Sequence, residues 1–281
     1  MSLLAALLAA IGYAAASVLQ SAGARGRDSA WELARSRRYL AGLGLDGVAW
    51  VLTLVALRGL PVYVVQAVLA SSLAFTVLLS RIWLKATLRR RDVVAIGALG
   101  PALAVVAIAG REQAARAPTS AVVIVLTVSG VLVSALVVAA LAGPRRTDSR
   151  AVPALSVLAG LAFSVTALAA RAVQVRSPLW HTVAAPLPWI VVATGIAGTA
   201  AYAAALQRGA VGPATALLWA VEVVVPAVVA IPLLGDGVRA GWPVPLAAAI
   251  ALVVASSVVL AGSPAPLAVA PERIDDPRPT A

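Results

Sequence analysis

Residues 120–141 read SAVVIVLTVSGVLVSALVVAAL, a stretch in which no side chain carries a charge. A helix rises about 1.5 Å per residue, so this length covers the roughly 30 Å of hydrocarbon in a bilayer. A helix that is apolar on every side belongs in a membrane or deep inside a large protein. We therefore predict that this stretch spans a membrane.

Eight further stretches have the same character, separated by breaks that carry Pro, Gly or Arg. The first could be a signal peptide, but it lacks a positive n-region and is long enough to cross, which favours a true span. We predict an all-α integral membrane protein with about nine transmembrane helices. These are Leu3–Ala22, Tyr39–Leu57, Val62–Leu84, Val93–Ala109, Ser120–Leu141, Val152–Ala170, Pro188–Gln207, Gly212–Leu234 and Pro243–Ala261.

The composition agrees with that prediction. Hydrophobic residues make up 62% of the chain and charged residues 12%, with a mean hydropathy of +0.98, whereas soluble domains have about 25% charged residues. The absence of Cys excludes disulfides and thiolate sites, and a lone His181 argues against a histidine-built metal centre. We expect no cofactor.

The net charge of +11 has an uneven distribution that predicts orientation. Basic residues lie in short stretches beside the spans, without the aromatic or helical patterns of nucleic-acid binders, so no nucleic acid is expected. Sixteen of the 22 fall in loops on one side, and six fall on the other: Arg58, Arg111, Arg116, Arg171, Arg176 and Arg239. The positive-inside rule predicts a multi-pass protein of the cytoplasmic (inner) membrane, with the N-terminus outside and the C-terminus in the cytosol.

The chain also contains an internal repeat. Ala56-Leu57-Arg58-Gly59 closes span 2, Ala205 to Gly209 closes span 7, and a proline soon opens the next span in each case. Spans 1–4 therefore match spans 6–9, and a shift by five spans inverts the second copy. The predicted organisation is a first membrane repeat at 1–117, a linking span 5 with a cytosolic loop at 118–150, a second repeat at 151–262, and a disordered cytosolic tail at 263–281.

The second copy resembles the drug/metabolite transporter superfamily, EamA-type. The residues that carry the resemblance are the stretch from Ala205 to Ala214, Glu222 in the following helix, and Leu233-Leu234-Gly235-Asp236. The first copy resembles the same unit more faintly, since it has no acid near Leu84 and Lys85, and nine spans give a weaker resemblance to the NIPA-type magnesium transporter branch. The resemblance implies an inverted-repeat transporter fold, but it does not identify a substrate.

Two acids, Asp46 and Glu222, fall deep inside predicted spans, where a charge costs about 2.5–3.5 kcal/mol. Polar and aromatic residues at helical spacing accompany them on spans 1, 2, 3, 7 and 8, and such stripes either line a cavity or bond within and between helices. The candidate substrate- or ion-binding residues are Glu222, Asp46, Trp219, Trp50, Gln66, Tyr63, Tyr13, Ser17, Gln20, Tyr202 and Thr215.

The sequence favours a secondary transporter of a small metabolite or drug-like solute, coupled to protons or another ion. It contains no motif for nucleophilic, metal or phosphate chemistry, so we expect no enzyme. One alternative is a divalent-cation transporter of the same fold, in which Asp46 and Glu222 would bind magnesium. Another is a non-transporting scaffold or a subunit of a lipid-carrier flippase. The partners would be the solute or ion and membrane lipid, and both a monomer and a homodimer fit.

Overall fold

The computed structural model describes residues 1–24, 35–83, 87–111, 113–142, 151–208 and 211–263. Within these ranges nine helical segments are long and apolar enough to cross a membrane, which confirms the prediction of a multi-pass helical protein. The predicted tail from residue 264, and basic residues of the loops at 25–34, 84–86 and 143–150, lie outside the described part.

The nine spans keep the predicted order. They are span 1 (Ser2–Ala24), span 2 (Arg37–Gly59), span 3 (Val62–Ala70 and Ser72–Trp83), span 4 (Arg90–Ala109), span 5 (Ser120–Ala142), span 6 (Val152–Ala172), span 7 (Pro186–Arg208), span 8 (Val211–Leu234) and span 9 (Pro243–Ala261). A further short helix, Trp180–Val183, lies between spans 6 and 7 and was not predicted.

Several helices begin before the apolar run because polar residues cap them. The Ser36 hydroxyl accepts a hydrogen bond from the Tyr39 N–H at the start of span 2, as an N-cap does. At the start of span 4 the Asp92 carboxylate accepts from the Arg89 N–H, at 3.0 Å. Capping satisfies the first N–H groups of a helix, which otherwise have no partner. Span 4 therefore starts at Arg90 and not at the predicted Val93.

Small residues let the helices approach each other closely. A Cβ on Gly42 of span 2 would lie 2.9 Å from the Ala16 carbonyl oxygen of span 1, and one on Gly160 of span 6 would lie 2.9 Å from the Leu218 carbonyl oxygen of span 8. Close backbone approach of this kind is how helices associate in lipid, where no hydrophobic force drives them together. Spans 1 and 2 form one antiparallel pair and spans 6 and 7 another.

Contacts between the two halves of the chain lie mainly between spans 3 and 8 and between spans 4 and 9. Span 3 is the most deeply buried span, and it is interrupted at Ser71, whose N–H donates to the Val68 carbonyl at 3.0 Å. Among the described helices, span 5 packs mainly against spans 6 and 7. The remaining apolar faces, such as Val93, Ile124 and Val228, are exposed and suited to lipid.

The two ends of the bundle are named after their buried charges. The Arg171 end comprises residues 57–62, 110–119, 171–186 and 234–242, and the Asp92 end comprises residues 35–37, 87–92, 151–152 and 262–263. The loop-charge count predicts that the Arg171 end faces outside.

Candidate functional site

Three predicted site residues lie at the middle of their helices. Tyr13 is the central residue of span 1, Glu222 lies at the centre of span 8, and Asp46 is within one turn of the centre of span 2. Both carboxyl groups are partly buried. Neither forms an ion pair with any residue in the described ranges.

Tyr13 connects the two acids. Its phenol group lies within electrostatic range of the Asp46 and Glu222 carboxyl groups and beside the Thr53 side chain. The Thr53 hydroxyl donates to the Ala49 carbonyl of its own helix, at 2.9 Å. Asp46 and Thr53 are two turns apart on one face of span 2. Acids from the two halves of the chain therefore lie near one tyrosine at the middle of the bundle, and we call this region the mid-depth site.

A second tyrosine borders Glu222 from span 7. The Tyr202 hydroxyl lies 2.6 Å from the Thr215 hydroxyl of span 8, a hydrogen bond in which either group can donate. Tyr202 also interacts electrostatically with the Glu222 carboxyl group. Thr215, Trp219 and Glu222 follow one another along one face of span 8, as their spacing predicts. Trp219 packs against both apolar cores of the bundle, so it lies where they meet.

The backbone at Glu222 is also available to a ligand. Pro226 lies inside span 8 and has no N–H, so the Glu222 carbonyl lacks the donor that a helix normally supplies from four residues later. Such interruptions are tolerated in membranes where they border a cavity or are covered by protein.

The other predicted site residues differ in burial. Ser17 and Trp50 are exposed, Gln20 is partly buried near the Asp92 end of span 1, and Gln66 is buried in span 3. The Gln66 Oε1 atom has no hydrogen-bond partner among described residues. Tyr63 is fully buried and its hydroxyl donates to the Gly237 carbonyl at 2.9 Å, so it belongs to the Arg171 end and not to the mid-depth site.

The Arg171 end contains a buried ion pair that the sequence did not predict. Arg171 and Asp236 are each only 2% exposed, and their closest N–O distance is 3.0 Å. The Arg171 Nε atom makes a second contact with the same carboxylate oxygen, at 3.2 Å. Arg171 also donates to the carbonyls of Leu57 and Gln113. The sequence places Arg171 among the basic residues of a loop, whereas the structure buries it in this ion pair.

Two helix ends stabilise this pair. Span 8 ends at Leu234, and Gly235 takes a left-handed φ of 68°, a conformation that glycine adopts without strain. The turn brings the Asp236 Oδ2 atom to 2.6 Å from the Val62 N–H, the first N–H of span 3. Asp236 thus meets the positive end of one helix, while Arg171 meets a carbonyl at the negative end of span 2. Arg58 of span 2 donates to the Val173 carbonyl nearby.

Asp92, in the first turn of span 4, is the corresponding acid of the first half of the chain, as Asp236 lies shortly before span 9. It is fully buried, and its Oδ2 atom accepts from the Ser263 hydroxyl at 2.8 Å. Arg91 donates to the Gly262 carbonyl beside it. Reciprocally, the Arg239 N–H donates to the Ala109 carbonyl at 3.0 Å. The loop before span 9 therefore bonds to the end of span 4, and the start of span 4 bonds to the end of span 9.

A clue to the Arg171–Asp236 pair is present in the sequence. Arg171 is followed by an apolar Ala172-Val173 before the next polar residue, and Asp236 directly follows a glycine at the end of a span. Neither feature identifies the partner, because 65 residues separate the two.

No family model, curated protein or solved structure was found that matches this chain.

Proposed function

We propose that this chain is a secondary transporter of the drug/metabolite kind, in which Asp46 and Glu222 bind a cationic solute and a proton in turn. The observation that carries the proposal is that Asp46 and Glu222, one from each half of the chain, lie near the middle of their spans without an ion pair to any described residue. An acid in a membrane interior without an ion-pair partner is costly, and such residues mark solute or ion pathways. The tyrosines and Trp219 suit an organic cation, because aromatic faces attract positive charge.

The packing supports an inverted repeat. Spans 1 and 2 pair as spans 6 and 7 do, and the contacts between halves match, with span 3 against span 8 and span 4 against span 9. The reciprocal bonds of Arg239 with Ala109 and of Ser263 with Asp92 lie at opposite ends of the bundle. This is the arrangement that an axis in the membrane plane produces. In the proposed topology the N-terminus lies outside the cytoplasmic membrane and spans 1–4 and 6–9 are the two repeats.

The Arg171–Asp236 pair would close the transporter at its outer end. Its bonds join the first half of the chain (Leu57 and Val62) to the second half. Opening that end requires these bonds to break, and opening the other end does not. We propose that the two halves rock about the mid-depth site, and that these bonds form in the conformation that is closed to the outside.

The test is solute-driven proton movement in proteoliposomes, with tetraphenylphosphonium and simple quaternary ammonium ions as solutes and a trapped pH dye as readout. Glu222→Gln and Asp46→Asn should each lower coupled transport at least about tenfold, because neither amide can exchange a proton. Thr199→Val is the matched control, since Thr199 is exposed and its hydroxyl bonds to its own helix. Undiminished coupled transport in Glu222→Gln would remove Glu222 from the mechanism.

Magnesium is the cargo to compare, because one or two carboxylates with retained waters suit it. If magnesium and not an organic cation raises the melting temperature, and Asp46→Asn removes that rise, the cargo is a divalent cation. If no solute or ion moves and both variants match the wild type, the chain is a scaffold or part of a lipid-carrier flippase.

A further inference from the structure

A groove runs around the last turn of span 6 at the Arg171 end. On one side it is lined by Arg116, Thr119, Val122 and the end of span 8 at 233–235. On the other it continues past Val123, Gln174 and Arg176 to the start of span 7 at 185–188. Pro118 and Ala172 line both parts, so the two parts adjoin at these residues. Spans 5 and 8 each pack against span 6, and the first part lies between their ends.

The groove is rimmed by positive charge, without a matching negative charge among the residues that the structure describes. Arg116 and Arg176 are both exposed, and neither forms an ion pair with any residue in the described ranges. The third arginine of the lining, Arg171, is already engaged by Asp236. No carboxylate of a described residue belongs to the lining. The Gln174 amide donates to the Arg116 carbonyl at 3.2 Å, which holds the two arginine-bearing loops together.

Tryptophans place the groove at the level of the lipid headgroups. Trp180 and Trp189, 62% and 60% exposed, lie beside it, and exposed tryptophans concentrate at the membrane–water interface. The loop between spans 6 and 7 also exposes Val175, Leu179 and Val183 around Arg176. An exposed loop with this mixture of apolar and basic residues is suited to the interface and not to bulk water.

We infer that this groove binds an anionic phospholipid of the leaflet at the Arg171 end, with the phosphate between Arg116 and Arg176 and the acyl chains along spans 5 and 8. Charge complementarity selects an anion, since arginine pairs with phosphate through several hydrogen bonds. The apolar walls and the interfacial loop select a lipid over a free ion. The inference is independent of the proposed transport.

The experiment measures phospholipid binding to the purified full chain by native mass spectrometry and by melting temperature in mixed micelles. Phosphatidylglycerol should remain bound and raise the melting temperature, and phosphatidylcholine should not. Removing both charges with Arg116→Gln and Arg176→Gln should weaken phosphatidylglycerol binding roughly 10- to 30-fold, because each arginine contributes one attractive interaction with the anionic headgroup. The conservative pair Arg116→Lys and Arg176→Lys should retain most of the binding.

The matched control is Arg111→Gln with Arg239→Gln, which removes the same charge from exposed positions at the same end outside the groove. It should weaken binding by less than about threefold if the groove, and not the general surface charge, holds the lipid. Equal loss in both double variants would overturn the inference, as would equal stabilisation by phosphatidylcholine. Stabilisation by inorganic phosphate alone at millimolar concentration would also overturn it, because the site would then recognise a free anion. Folding of each variant is checked by its melting temperature without added lipid.

Discussion

The mid-depth site and the Arg171 end both contain carboxylates inside the bundle, but these carboxylates differ in whether they have a charged partner. Asp236 is fully paired, with Arg171 at 3.0 Å and the Val62 N–H at 2.6 Å. Asp46 and Glu222 have tyrosines as neighbours and form no ion pair within the described residues. The paired acid lies at the end of the bundle, and the other two lie near its middle.

The difference separates structural charges from functional ones. A buried carboxylate with every hydrogen bond made contributes to a fixed arrangement, and removing its partner leaves a charge that is costly to bury. A carboxylate without a charged partner leaves room for a cation or a proton from outside. Changes at the Arg171 end should therefore alter stability, whereas changes at the mid-depth site should alter transport.

The largest effect on stability is expected from Arg171→Met. It leaves the Asp236 charge buried without its partner, which should cost roughly 3–5 kcal/mol of unfolding free energy. Adding Asp236→Asn should recover most of the loss, because the neutral amide needs no cation and its oxygen still accepts from the Val62 N–H. Equilibrium unfolding in mixed micelles measures both variants. Arg111→Met, at an exposed position of the same end, is the control, and a cost for Arg171→Met no larger than the control's would contradict a structural pair.

Gly42→Ala should have the next largest effect, about 1–3 kcal/mol, because its methyl group has no room. The new Cβ would lie 2.9 Å from both the Ala16 carbonyl oxygen and the Gln20 backbone nitrogen. Separating spans 1 and 2 would also move Asp46 away from Tyr13, so transport should fall with stability. Gly44 lies on the same helix, and a Cβ there would have nothing within 4 Å. Gly44→Ala should therefore leave transport unchanged and leave stability unchanged or slightly higher. Equal behaviour of the two alanine variants would show that close packing does not hold this part of the site.

A smaller effect, about 1 kcal/mol, is expected from Tyr202→Phe. The substitution removes one hydrogen bond to Thr215, and a single hydrogen bond contributes about that much. Thr215→Val should cost a similar amount, and the double variant should cost less than the sum of the two. A double-mutant cycle on unfolding free energies measures this coupling. Strictly additive costs would mean that the two hydroxyls do not interact.

The smallest effect on stability is expected from Glu222→Gln, within about 0.5 kcal/mol of the wild type. No ion pair with a described residue is lost, and a neutral amide is cheaper than a carboxylate to hold in a membrane. Unfolding of this variant beside Arg171→Met tests the distinction between the two regions directly. A cost as large as that of Arg171→Met would place Glu222 among the structural charges.

The architecture could be predicted because it depends on local properties of the sequence. Nine apolar stretches of sufficient length became nine spans in the described residues, with ends shifted by up to a few positions. The shifts arise where caps such as Ser36 and Asp92 extend a helix past its apolar run. Helical spacing also placed Thr215, Trp219 and Glu222 on one face of span 8.

Contacts between distant segments could not be predicted in the same way. The partner of Asp236 depends on how span 6 packs beside span 8. The residue spacing within either span does not indicate this packing. No proline or glycine lies near Ser71 to indicate the interruption of span 3 from the sequence. Tyr63 was grouped with the acids by residue type, whereas its hydroxyl meets Gly237 at the Arg171 end.

The cap on span 3 has a consequence for biogenesis. Asp236, which accepts from the Val62 N–H, is translated 174 residues after it. When span 3 leaves the ribosome, span 1 is already present to pack against it, but spans 8 and 9, which also cover it in the finished bundle, do not yet exist. The most enclosed helix of the protein therefore remains incompletely covered in the bilayer until the second half of the chain has been inserted. Its contacts with spans 8 and 9, and the cap that Asp236 provides, are late steps in the assembly of the bundle.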